Sequence, residues 1–121
     1  MKIEEFRKLR QEFDDHEEML LEVKKTEYAN DADRLINFKE ASQMVGLTPE
    51  HYCFILIAKH FHAIRKAVLE DKYNWCWNAE FGEGIKQRIA DARNYFLLLA
   101  ALIEEKKGGE MIVREDDGCP N

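Results

Sequence analysis

The stretch that decides the fold is residues 48–58, which read TPEHYCFILIA and combine a helix start with an unbroken apolar segment. Thr48 can cap a helix with its hydroxyl, Pro49 suits the first helical position, and Glu50 favours the first turn. Residues 52–58 are apolar on every side, so we expect this helix, which extends to about residue 70, to be central in the fold.

Helical spacing continues on both sides of this stretch. Apolar residues three and four apart predict helices near residues 3–29 and 33–45, and Gly46 is suited to end the second of them. Another helix is predicted near residues 85–107, with a polar first half and an apolar second half, and glycines follow it. Two apolar and two amphipathic helices predict an all-α, four-helix bundle. We expect residues 1–107 to form one domain and residues 108–121 to be a flexible tail.

The length and charge of the chain limit its function. Its 121 residues suit one domain that buries a core without disulfides. The net charge of −6 argues against direct nucleic-acid binding, because phosphate contacts need clustered cations. An acidic protein can still bind a phosphorylated small molecule if a divalent metal bridges the like charges.

Cysteine spacing and hydropathy predict a cytoplasmic protein. Cys53, Cys76 and Cys119 fit no zinc pattern and are odd in number, which favours reduced thiols. The N-terminus has no apolar signal core, and the longest apolar run, residues 95–103, is too short to cross a bilayer.

The third and fourth helices also carry more apolar surface than a monomer covers comfortably, which predicts a homodimer or tetramer.

The first group of polar residues that could carry chemistry is the turn at residues 27–34. Glu27, Asn30, Asp31 and Asp33 offer oxygen ligands of the kind that Mg²⁺ prefers. Turn and capping chemistry explains Asn30, Asp31 and Asp33 equally well. It does not explain Glu27, which lies on the apolar stripe of its helix, where a carboxylate is costly unless paired or bound to a metal.

The second group, Lys59 and His60, follows directly after the apolar stretch. At least one of the two should face the interior of the bundle. Lysine suits a phosphate group as a point charge. The alternative is a lysine whose charged end reaches solvent and a histidine satisfied within the core.

The third group lies on and just before the last helix. Positions 88, 91, 95, 98 and 102 share one helical face, which places Arg88 and Asp91 at the mouth of a buried stripe. Glu83 precedes this helix, and Asn94 lies close to Asp91 along it. An intrahelical Arg88–Asp91 pair is one explanation. The other is that Asp91 binds a metal and Arg88 a phosphate.

Motifs of other chemistries are missing from the sequence. It has no glycine-rich phosphate loop, no nucleophile elbow and no His-Glu-x-x-His motif. Hydrolysis by metal-activated water is the chemistry most compatible with its polar residues. Since burying these groups separately would be costly, we expect one polar pocket. Its predicted members are Glu27, Lys59, His60, Glu83, Arg88, Asp91 and Asn94.

Four segments together resemble a family of short phage and prophage proteins. They are EYANDADRLINF at 27–38, GLTPE at 46–50, KH at 59–60 and EGIKQRIADARNY at 83–95. The family is itself similar, at a distance, to the MazG-like all-α nucleoside triphosphate pyrophosphohydrolases. The resemblance covers roughly residues 20–105.

The resemblance implies an oligomeric helical enzyme of the host cytoplasm that releases pyrophosphate from a nucleotide with Mg²⁺. Asp91 matches the last position of the usual Glu-x-x-Asp motif, but Arg88 stands where the glutamate is expected, and Glu80 and Glu83 have the Glu-x-x-Glu spacing around a glycine. The implied metal ligands are Glu27, Asp31 (or Asp33), Glu83 and Asp91. The implied catalytic residues are Glu27, Lys59 and Asp91, and the implied substrate contacts are Lys59, His60, Arg88 and Asn94.

A second hypothesis is a non-catalytic phage module on the same fold, which binds a nucleotide or a protein and holds its acidic residues in salt bridges. The missing acidic motif favours it. A third is a phage regulator that acts through protein contacts made by the aromatic loop and the tail. Carboxylates that converge without a cation would favour the metal site.

Overall fold

The computed structural model describes residues 1–28, 35–80 and 82–108, and the side chains of residues 20–28 and 37 are not described. Within these ranges the chain is mostly helical, which confirms the all-α prediction. The helices are α1 (Ile3–Tyr28), α2 (Ile36–Met44), α3 (Pro49–Glu70) and α4 (Ile85–Gly108). Two short strands, β1 (Asn78–Ala79) and β2 (Gly82–Glu83), pair antiparallel in the loop between α3 and α4.

The helix ends follow the local chemistry of the sequence. The Thr48 hydroxyl accepts a hydrogen bond from the His51 amide at 3.2 Å, and Pro49 is the first residue of α3. Gly46 has a φ of +71° directly after the end of α2, as a helix-ending glycine should. The start of α2 is later than predicted, at Ile36 rather than residue 33, and Leu35 caps it without a side-chain hydrogen bond. Of the tail predicted at residues 108–121, Gly108 is the last residue of α4, and residues 109–121 lie outside the described residues.

The core lies where α3 and α4 pack side by side. Its buried cluster consists of Leu35, Cys53, Ile57 and Leu102. The Cys53 thiol donates a hydrogen bond to the backbone carbonyl of Tyr95 at 3.2 Å, which ties the second turn of α3 to the middle of α4. The α2 helix closes one side of this pair, where Phe38 packs against Tyr52 with ring centroids 5.1 Å apart.

The α1 helix docks on α4 through ion pairs around one buried aromatic residue. Lys86 Nζ lies 2.7 Å from Glu12 Oε2, and Arg93 Nη2 lies 2.9 Å from Asp14 Oδ1. Between these pairs, Phe13 is buried against the indole of Trp77, with centroids 5.0 Å apart. The aromatic loop before α4 is therefore part of the packing between α1 and α4.

Much of the apolar surface of α3 and α4 is exposed in the single chain. The helix that the sequence predicts to be central packs against both α2 and α4, but residues 52–58 are not buried on every side: Phe54 is 61% exposed while Cys53 is fully buried. Within the described part of the chain, the buried residues of α3 lie along one stripe. None of the described helices is both long enough and apolar enough to span a membrane.

Candidate functional site

Three of the residues singled out from the sequence meet at one point of the structure. His60 of α3, Glu83 of β2 and Asp91 of α4 each offer a ligand atom, and these atoms lie within 4.8 Å of one another. They come from three separate elements, so the fold itself brings them together. We call these three residues the His60–Glu83–Asp91 cluster.

Core packing positions two members of the cluster. His60 lies one turn after the buried Ile57 on α3, so its ring continues the stripe that faces α4. Asp91 lies one turn before Tyr95 on the α4 face that continues into the buried Leu102. The packing of α3 on α4 therefore sets the separation of the imidazole and the carboxylate.

The hairpin before α4 positions the third member. The Gly84 amide donates to the Trp77 carbonyl at 3.0 Å, and the Ile85 amide donates to the Asn74 carbonyl at 2.8 Å. Gly84 is buried so close to Cys76 that a Cβ there would collide with the Cys76 carbonyl oxygen. Glu83 is thus held just before the first turn of α4, where the helix dipole favours a negative charge.

His60 is a buried polar side chain without a hydrogen-bond partner on one nitrogen. It is 9% exposed, and its Nδ1 has no partner among the described residues. The ring stacks on Tyr95 with centroids 5.4 Å apart and planes inclined by 24°. A buried polar atom left unpaired costs roughly 1–3 kcal/mol, so a ligand bound at this nitrogen would offset that cost.

Burial favours the neutral form of His60. Burial lowers the pKa of His60, the Asp91 carboxylate acts in the opposite direction, and Arg88 reinforces the lowering. Neutral imidazole is the form that binds metal ions. The side chain is therefore a potential metal ligand.

Asp91 is held by a hydrogen-bond network of residues outside the cluster, which the sequence analysis missed. Its Oδ1 accepts a hydrogen bond from Gln87 Nε2 at 2.9 Å, and Gln87 Oε1 lies 2.7 Å from His16 Nε2. Because an amide oxygen only accepts, Nε2 of His16 is the donor. The His16 ring stacks on Trp77 at 3.8 Å. The sequence signal was the placement of His16 on the apolar stripe of α1.

Two cationic side chains named from the sequence lie near the cluster. Arg88 Nε is 3.5 Å from Glu83 Oε2, so Arg88 pairs with Glu83. The intrahelical alternative had paired Arg88 with Asp91 instead. Lys59 is exposed, and its charge contributes to lowering the pKa of His60. Of the two neighbours Lys59 and His60, it is His60 that faces the interior.

The remaining predicted site residues are not brought into the cluster by the described part of the chain. Asn94 is half-buried on α4, and no hydrogen bond from it to the cluster is found among the described residues. The Glu27 side chain, Asp31 and Asp33 lie outside the described residues. The described ligands are therefore one imidazole and two carboxylates, whereas the sequence led us to expect four acidic residues.

An open cavity of about 480 Å³ adjoins the cluster through Glu83. The cavity is formed by the loop before α4, and its lining residues are Asn74, Cys76, Asn78, Ala79, Glu80, Gly82 and Glu83.

The described cysteines have structural environments. Burial raises the pKa of the Cys53 thiol to about 11, so it stays protonated near neutral pH. The Cys76 thiol donates to the Asn78 carbonyl at 3.2 Å within the loop. Neither is paired with a catalytic base in the described structure, so the polar chemistry centres on the His60–Glu83–Asp91 cluster.

Comparisons with known proteins do not assign a function to the chain. No family model, curated protein or solved structure matches the chain. The resemblance to phage proteins and to MazG-like enzymes stays a prediction.

Proposed function

We propose that the protein is a divalent-metal-dependent hydrolase of a phosphorylated nucleotide, a pyrophosphohydrolase of the MazG-like kind. The observation that carries the proposal is the convergence of ligand atoms of His60, Glu83 and Asp91, together with the burial of His60, whose Nδ1 has no partner among the described residues. The cytoplasm, and the host cytoplasm for a phage-encoded chain, is the proposed location.

The spacing of the cluster fits a single cation. Ligands on opposite sides of an ion with bonds of about 2.2 Å lie about 4.4 Å apart. The ligand atoms of the cluster lie within 4.8 Å of one another, which is close to this separation. Mg²⁺ is the ion that the sequence predicts, and Glu83 and Asp91 supply oxygens that suit it.

The neighbouring residues divide the remaining work. A divalent cation, when bound, neutralises charge on phosphate oxygens and makes water more acidic. Arg88 can then exchange Glu83 for a phosphate, which its planar fork binds at two oxygens. The described pair with Arg88 uses one Glu83 oxygen, so Glu83 can act as a ligand before or after this exchange. Lys59 adds a positive charge at the exposed side, and Gln87 keeps Asp91 in place.

The alternative function is a non-catalytic module that binds a nucleotide or a protein. The Arg88–Glu83 ion pair favours it, because in that case Glu83 has a structural partner already. The two functions differ in what Asp91 does. In the enzyme Asp91 holds an ion, and in the module it only anchors Gln87.

We expect Asp91→Asn to abolish metal-dependent nucleotide binding while α-helical content is retained. The change keeps the size of the side chain but removes the negative charge of a ligand. Loss of outer-shell partners alone weakens metal affinity by about 10–100-fold, so loss of a ligand should cost at least as much. A thermal-shift screen of nucleotides with and without Mg²⁺ or Mn²⁺ measures the effect, since a ligand at 100 times its Kd stabilises by about 2.7 kcal/mol.

Asp15→Asn is the matched control, because Asp15 is exposed on α1 and bonds only to Gln11 in the described contacts. It should respond to nucleotides like the natural protein, and pyrophosphate release should also be unchanged. If Asp91→Asn lowers the melting temperature but leaves the nucleotide response of the folded protein intact, the structural module is the correct function.

We also propose that the protein forms a homodimer through the exposed apolar side of α3 and α4. Phe54, Phe61 and Val68 recur at seven-residue spacing on α3, and Phe96 and Ile103 do so on α4. Seven-residue spacing is the pattern by which helices pack against helices in bundles. Soluble monomers rarely expose apolar patches of this extent, and identical chains most often pair about a two-fold axis.

We expect Phe61→Glu to give a monomer, because it places a charge in the middle of this apolar side. Light scattering coupled to size exclusion, at micromolar concentration, measures the mass. Met44→Glu is the control, since Met44 is exposed at the end of α2, away from the repeat. A natural protein that runs at the mass of one chain would rule out the dimer.

A further inference from the structure

We infer that the His60–Glu83–Asp91 cluster selects a transition-metal ion, of the cobalt or zinc type, over magnesium. The inference rests on the cation site of the proposed function but not on hydrolysis of a nucleotide. It changes the cofactor that the sequence led us to expect.

The first argument is the donor set. Magnesium demands oxygen ligands in near-octahedral geometry and gives up its water reluctantly. Imidazole, in contrast, suits zinc, iron, copper and nickel, while carboxylates suit both classes. One ligand in three here is an imidazole, and it is the most buried of the three. A magnesium ion would make poor use of it.

The second argument is that His60 is built into the fold as a donor. Its ring is fixed by stacking on Tyr95, and its Nδ1 has no partner among the described residues. The other two ligands lie on elements that are anchored independently, Asp91 through Gln87 and Glu83 through the hairpin. A preorganised ring of this kind favours an ion that bonds strongly to nitrogen.

The third argument is the charge balance around the cluster. The carboxylates of Glu83 and Asp91 are opposed by the positive charges of Arg88 and Lys59, and all four act on His60. Because these charges balance, a cation that binds mainly through electrostatic attraction gains little binding free energy at the cluster. Coordination strength then decides, and it rises along the first-row divalent ions toward copper, with zinc also strong.

The number of ligands points to a working site. Structural zinc sites are closed by four protein ligands, whereas catalytic sites use three and leave a position open. The cluster supplies three, and one of them, Glu83, also lines the open cavity in the loop before α4. An ion there could therefore bind water or a phosphate oxygen as well.

Titration of the full chain with Co²⁺ tests the inference through its visible absorption. We expect weak d–d bands whose intensity saturates at one ion per chain. Zn²⁺ at equal concentration should abolish these bands. Mg²⁺ at roughly 100-fold excess should leave them unchanged, in keeping with the ligand preferences above. Intense near-ultraviolet bands would instead show thiolate binding, for example by Cys76, and would overturn the assignment to the cluster.

His60→Gln should weaken Co²⁺ binding at least roughly tenfold, whereas His62→Gln, at an exposed position two residues further on, should leave it unchanged. The competition with Mg²⁺ uses the natural protein, so it decides the question even if His60→Gln does not fold. Equal affinities for Mg²⁺ and Co²⁺ would overturn the inference and leave metal-dependent hydrolysis standing. Selective Co²⁺ binding without any nucleotide response would support the inference and refute the proposed hydrolase. Absence of any bound ion would refute both.

Discussion

Gly84→Ala is expected to destabilise the protein by about 3 kcal/mol and to abolish ion binding at the same time. A Cβ at Gly84 would overlap the Cys76 carbonyl oxygen and lie 2.8 Å from the Cys76 sulfur. The overlap is with backbone, so no side-chain rotation relieves it, and the hairpin must move away from the start of α4. Overpacking of this kind typically costs 1–3 kcal/mol and sometimes more. Since Glu83 is the adjacent residue, the same movement takes one ligand out of the cluster.

Urea unfolding followed by circular dichroism measures the first effect, and the Co²⁺ titration measures the second. Gly108→Ala is the control, because no described residue has an atom within 4 Å of a Cβ at that position and its φ is not in the left-handed region. Its effect should stay within about 0.5 kcal/mol, as for most surface substitutions. If the Gly84→Ala variant had the same urea unfolding curve and the same ion affinity as the natural protein, the hairpin could not be packed against Cys76 as described.

The helices were predictable because their signals are local. The Thr48 hydroxyl and Pro49 mark the start of α3, and the predicted ends of α1 and α4 lie within one residue of the observed ones. The paired strands of two residues each gave no signal, because they are too short for an alternating pattern. Local apolarity also could not tell how many neighbours α3 has, so it did not distinguish the exposed Phe54 from the buried Cys53.

The candidate site was predictable in part for a different reason. Polar residues on an otherwise apolar helical stripe stand out in a sequence, which is how His60, Arg88 and Asp91 were found. Their partners do not stand out, since the His16–Gln87 contact joins positions 71 residues apart. Whether His60 acts as a metal ligand or touches substrate depends on how α3 packs against α4, and only the three-dimensional arrangement determines that.

Leu102→Ala is expected to lower the free energy of unfolding by 2–5 kcal/mol, the usual range for truncating a buried leucine. Leu102 is 3% exposed and belongs to the small core cluster with Leu35, Cys53 and Ile57. Domains of this size are stable by about 5–15 kcal/mol in total, so the loss is a large share. Leu102 is eleven residues from Asp91, roughly 16 Å along the helix, so the folded variant should still bind the ion.

Leu97→Ala provides the matched comparison, because it removes the same atoms from the same helix at a position that is 66% exposed. In a folded monomer it should change stability by no more than about 0.5 kcal/mol. Thermal unfolding of both variants over a range of protein concentrations separates core packing from self-association. A large effect of Leu97→Ala that fades on dilution would mean that a second chain covers this part of α4. Equal, concentration-independent losses at both positions would contradict the packing of α4, because the side that carries Leu97 would then belong to the core.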